Sequence, residues 1–69
     1  MENKNNIVKA LLPILQMTDN LHDLVNLEYT IKDGRELVTA TFDSGYTKRA
    51  NVSMDSGTAM IRDIIKQIV

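Results

Sequence analysis

Between Leu24 and Met54, apolar and polar residues alternate in three short runs. The first sets Val25, Leu27, Tyr29 and Ile31 against Asn26, Glu28, Thr30 and Lys32. A period of two marks a strand with one buried and one wet face. Asp33-Gly34 follows, the two-residue signal of a type I′ hairpin, in which both turn residues take positive φ. Such a turn fixes the register and so exposes it to a test. It sets Lys32 opposite Arg35, Tyr29 opposite Val38, Leu27 opposite Ala40 and Val25 opposite Phe42. Apolar meets apolar along the ladder. A slip of one residue would have turned a whole strand over, so the agreement supports the hairpin.

The next turn, Asp43-Ser44-Gly45, suits a type I turn followed by a left-handed glycine in a bulge. It pairs Phe42 with Tyr46, Ala40 with Lys48, Val38 with Ala50 and Glu36 with Val52. The meander then has a dry face of Val25, Leu27, Tyr29, Ile31, Val38, Ala40, Phe42, Tyr46, Ala50, Val52 and Met54. Lys48 falls on that side near a turn, where its stem packs and its ammonium reaches water. The wet face runs in cross-strand rows: Asn26-Thr41-Thr47, Glu28-Thr39-Arg49, Thr30-Leu37-Asn51 and Lys32-Arg35-Ser53.

On either side the period changes. From Ile7 to Met17 the apolar residues spread over an arc of roughly 220° at 3.6 residues per turn, with Lys9, Pro13 and Gln16 as the polar side. Asn5 or Asn6 supplies an N-cap. Pro13 removes one helical hydrogen bond, so a kink or a break is expected, and its place on the polar side favours one kinked helix over two short pieces. Thr18–Asp23 is a polar connector, in which Leu21, with Leu24 after it, is placed to plug the end of the core. Beyond the meander, Asp55 or Ser56 caps a helix whose apolar stripe is Ile61, Ile64, Ile65 and Ile68, flanked by Met60 and Val69.

These elements predict one domain over 1–69: helix 6–18, strands 24–32, 35–42 and 46–54, helix 56–69. Both helices have only the dry sheet face to cover, so the fold class is α+β, a two-layer sandwich in α-β-β-β-α order around a three-stranded antiparallel meander. A chain of 69 residues without cysteine has a thin stability margin, leaving tight packing or oligomerisation to supply the rest. A net charge of −1 argues against strong non-specific attraction to nucleic acid or anionic lipid. The start of the chain reads poorly as a signal peptide, and no apolar run reaches spanning length, so the expectation is a cytoplasmic protein without membrane contact. Its size fits an accessory protein of a phage or other mobile element.

Candidate chemistry is sparse. His22 is the single histidine, set in a polar connector where an exposed or capping role suffices. The acids are scattered, and Asp43-Ser44-Gly45 and Asp55-Ser56-Gly57 sit where turns and caps are needed, without the Gly-Lys-Ser/Thr ending of a phosphate loop. No enzyme, cofactor or metal is expected. The element order is shared with double-stranded-RNA-binding domains, but the contacts such a domain needs are missing. The last helix opens on Asp55-Ser56-Gly57-Thr58-Ala59-Met60 instead of a basic cluster, and the groove loop is only Asp33-Gly34. No family is assigned.

The leading expectation is therefore a small interaction protein, a homodimer or one that docks a protein partner. The wide apolar arc of the first helix offers Val8, Leu12 and Leu15 for self-association, since a surface helix needs a stripe of only about 100°. The wet sheet face offers a docking surface of Thr30, Leu37, Thr39, Arg49 and Asn51. The disfavoured alternative is weak nucleic-acid binding through Lys32, Arg35, Lys48 and Arg49, whose charge Glu28, Glu36 and Asp43 nearly cancel.

Overall fold

The structure is a computed structural model, described over residues 3–68. Helix α1 spans Lys4–Gln16, strands β1, β2 and β3 span Leu24–Lys32, Arg35–Phe42 and Thr47–Asn51, and helix α2 spans Gly57–Ile68. A 3₁₀ turn at Asp19–Leu21 links α1 to the sheet. The sheet is an antiparallel meander in the order β1-β2-β3, and α1 packs on β1 while α2 packs on β3. The two-layer α+β architecture is the one the alternation predicts.

The register also follows the turns. Lys32 pairs with Arg35, Tyr29 with Val38, Leu27 with Ala40, Val38 with Ala50 and Ala40 with Lys48. Asp33 and Gly34 both take positive φ, 53° and 77°, as a type I′ turn demands. One pairing is corrected. Phe42 stands opposite Leu24, not Val25, because a bulge between Leu24 and Asn26 turns Val25 out of the ladder. The extra residue lets Leu24 and Leu27 both point inward, at 2% and 6% exposure, and leaves Val25 half-exposed. Leu21 is buried beside them, closing that end of the core.

Val8, Leu11 and Leu15 of α1 meet Val38, Ala40, Phe42, Ala50 and Val52 of the sheet, and Met60, Ile64 and Ile68 of α2 complete the core. The first helix starts earlier than expected, capped by Asn3, whose side chain accepts the Asn6 amide at 3.1 Å. Asn3, Asn5 and Asn6 have the same capping chemistry, so local sequence did not separate them. α1 continues unbroken through Pro13, which lies on the exposed side with Lys9, where the carbonyl it leaves free faces water.

α2 is rotated from its predicted stripe. Met60, Ile64 and Ile68 are fully buried, Ile61 is half-buried and Ile65 is 43% exposed. The helix rests mainly on β3, a narrow seat, so one margin of its apolar arc stays wet. Its cap is Ser56, whose Oγ accepts the Ala59 amide at 3.4 Å. Val69 lies outside the described residues. β3 is also shorter than predicted: Met54 turns out with φ 66° and is 98% exposed, because the chain must leave the sheet there to enter α2.

Candidate functional site

Three polar arrangements come out of the fold, and two are structural. Glu36 on β2 accepts the Tyr29 hydroxyl at 2.5 Å, the Lys4 ammonium at 2.9 Å and the Met54 amide at 3.3 Å. The Tyr29 hydrogen bond, then Lys4, hold its carboxyl below the usual carboxylate range. The same bond and partial burial push the Tyr29 phenol up to about 12. Nearby, the facing Asp63 carboxyl and then burial push the Asp55 carboxyl up, and its Oδ2 is buried without a hydrogen-bond partner. These groups tie the start of α1, the hairpin and the start of α2 together. Among the described residues, no three His, Cys, Asp or Glu side chains converge as metal ligands would.

The second arrangement is a shallow cleft of about 300 Å³ bounded by Asn20, Asp23, Phe42, Tyr46 and Lys48. Its cation is already committed: Lys48 Nζ donates to the Ile68 carbonyl at 3.1 Å, a favourable place for a positive charge at the end of α2. His22 points its Nδ1 at the Asp19 carbonyl, 2.8 Å away, within its own turn.

The third arrangement is the uncovered part of the sheet. Among the described residues no helix lies on the wet face, and the cross-strand rows assemble there as the register requires: Thr30-Leu37-Asn51 beside Glu28-Thr39-Arg49. Leu37 is half-buried among polar neighbours at the middle of that face. Glu28 and Arg49 are two strands apart, about 10 Å at the usual spacing, and form no ion pair. Lys4–Glu36 is the one ion pair among the described residues. Of the four candidate phosphate contacts, Lys32 and Arg35 meet across the hairpin and Arg49 shares their face, while Lys48 is on the opposite side.

Sequence reasoning missed the edge of β1. The bonds from Val52 N to Glu36 O and from Phe42 N to Tyr46 O show that even-numbered residues of β2 bond to β3. Arg35, Leu37, Thr39 and Thr41 therefore bond to β1, through Lys32, Thr30, Glu28 and Asn26. That leaves the amides and carbonyls of Leu27, Tyr29 and Ile31 directed outward, and among the described residues no other segment bonds to them. Ile31 is 66% exposed on this edge. The start of β1 is guarded by the Val25 bulge and by Gln16, whose Nε2 donates to the Leu24 carbonyl at 2.9 Å. The far side of the edge is open.

Of the α1 residues singled out for self-association, Val8 and Leu15 are consumed by the chain's own core, at 0% and 4% exposure. Leu12 is half-buried and borders a groove between α1 and the β1 edge, with Asn5, Lys9, Asn26 and Leu27. The exposed apolar side chains of that end are instead Ile14 and Met17. Compared with protein-family models, curated proteins and solved structures, the chain matches none.

Proposed function

We propose that this chain is a small interaction protein, without chemistry of its own, that self-associates. The observation that carries this reading is the β1 edge, nine residues long, open along Leu27–Ile31 and carrying a large exposed isoleucine. An open strand edge offers ready-made backbone donors and acceptors for another chain, and folds that do not use one blunt it with charge, proline or a bulge. Here the bulge and Gln16 block only the first residues, and the charges along the open part, Glu28 and Lys32, are of opposite sign and so do not repel a second copy. The other outer strand, β3, is five residues long and carries Lys48 and Arg49, the usual guarded form. The open face around Leu37, Thr30, Thr39, Asn51 and Arg49 adjoins this edge and supplies a second docking surface on the same assembly.

Phosphate binding is the weaker reading, because Lys48 is engaged with α2 and Glu28 stands among the remaining cations. Light scattering coupled to size-exclusion chromatography tests the main proposal. A mass of two chains at high micromolar concentration is the expected outcome, and a strict monomer there removes self-association.

A further inference from the structure

We infer that the occupant of the β1 edge is a second copy of this chain, paired antiparallel about a two-fold axis through Thr30. This rests on the self-association reading and adds the partner's geometry. The free amides and carbonyls belong to Leu27, Tyr29 and Ile31, all odd-numbered positions. In an antiparallel pair of identical edges, hydrogen-bonded partners must both present outward groups, so odd residues pair with odd. The dry face of one copy then continues into the dry face of the other, and all four helices fall on the same side. The edge thus excludes every arrangement that would set a dry face beside a wet one.

Three registers keep this parity near the middle of the strand, and charge separates them. An axis through Glu28 sets the two Glu28 carboxylates against each other. An axis through Tyr29 leaves Glu28 opposite Thr30 and Lys32 opposite Asn26. An axis through Thr30 sets Glu28 opposite the second copy's Lys32 twice, Tyr29 opposite Ile31 twice, and Thr30 opposite Thr30. Opposite charges, aromatic with β-branched residues, and paired threonines are the cross-strand combinations that stabilise a ladder. Glu28 and Lys32 are both exposed, and neither has an ion-pair partner within its own chain among the described residues. Ile31, 66% exposed in the single chain, is covered by Tyr29 of the other copy. The series Glu28-Thr30-Lys32 is its own complement when read backwards.

That self-complementarity makes the test a charge exchange. Glu28→Lys and Lys32→Glu are made separately, shown to be folded by circular dichroism, and studied by sedimentation velocity alone and as an equimolar mixture. Each variant alone places like charges opposite one another at two positions, so its self-association should weaken by at least about tenfold. In the mixture, Lys at 28 of one chain meets Glu at 32 of the other, and Glu at 28 meets Lys at 32, so association should return. The double variant Glu28→Lys/Lys32→Glu should pair with itself as the parent does. A parent chain that remains monomeric overturns the reading and this inference together. A parent dimer indifferent to both single exchanges, or a mixture that fails to recover, overturns this register and leaves self-association standing.

Discussion

Glu36 is where three segments of the chain meet. Its carboxylate holds Tyr29, Lys4 and the Met54 amide, its own amide donates to Ser53 Oγ at 2.8 Å, and its carbonyl accepts from Val52. The two side-chain partners shift in opposite directions with opposite consequences for stability. The Glu36 carboxyl is held below its ordinary value of 4.5, so its contribution is present above that pH and lost as pH falls through the lowered folded value. The Tyr29 phenol is raised from 10.0 to about 12, so its contribution is present below pH 10 and lost as pH rises through about 12. In a Tyr46→Phe background, phenolate absorbance reports Tyr29 alone and should titrate close to 12. Adding Glu36→Gln removes the charged acceptor and should return the midpoint toward 10. A Tyr29 midpoint already near 10 with Glu36 intact means that the bond is not formed.

At the scale of elements, the hairpin between β1 and β2 sets everything else, since its turn fixes which side chains share a face. Gly34 sits at φ 77°, and a Cβ placed there meets nothing within 4 Å. The cost of a side chain is therefore purely conformational, and a β-branched one suffers most. Gly34→Val should destabilise the domain by more than about 1 kcal/mol, read as a lower urea midpoint at unchanged slope. An unchanged midpoint would mean that the turn is not of this type. This dependence on turns explains what the sequence made legible. Two-residue and three-residue turns transmit register over short distances, so the pairings from Lys32–Arg35 to Ala40–Lys48 could be read directly. Events far from a turn could not. The bulge at Val25 lies eight residues before the hairpin and depends on Leu21 and Leu24 both reaching the core. The rotation of α2 depends on how wide a seat β3 provides, which no local period encodes. The rows of the wet face were legible because they follow from register alone. The β1 edge is implied by two tight turns, which force a meander and leave its first strand outermost, whereas the wide apolar arc of α1 is a stronger pattern that points elsewhere. Val8 and Leu15, on that arc, are interior residues.

For the molecule as a whole, a chain of 69 residues has little surface to bury, and association of native chains is one way to add stability. Pairing through the β1 edge would join two three-stranded sheets into one of six, with α1 of each copy next to the join and α2 outermost. The rows of the wet face would then run on across the axis: Asn51-Leu37-Thr30 of one copy meets Thr30-Leu37-Asn51 of the other. Two Leu37 side chains would stand three strand spacings apart, about 14 Å, on one open surface. The proposed docking face and the edge would thus become parts of a single two-fold platform, its formation coupled to folding because the strand that pairs exists only in the native chain. A ligand that binds the native state alone raises its apparent stability with concentration, and in such a pairing the ligand would be the protein itself. Above the dissociation constant, each tenfold rise in concentration adds about 1.4 kcal/mol per dimer, or about 0.7 per chain, which for a domain of this size corresponds to about 3–5 °C in Tm. Calorimetric scans of the parent over about a hundredfold range of concentration should show that rise, while scans of Glu28→Lys alone should stay flat until much higher concentration. A parent Tm that does not move over the range would separate association from folding, and the platform would then contribute nothing to the stability of the single chain.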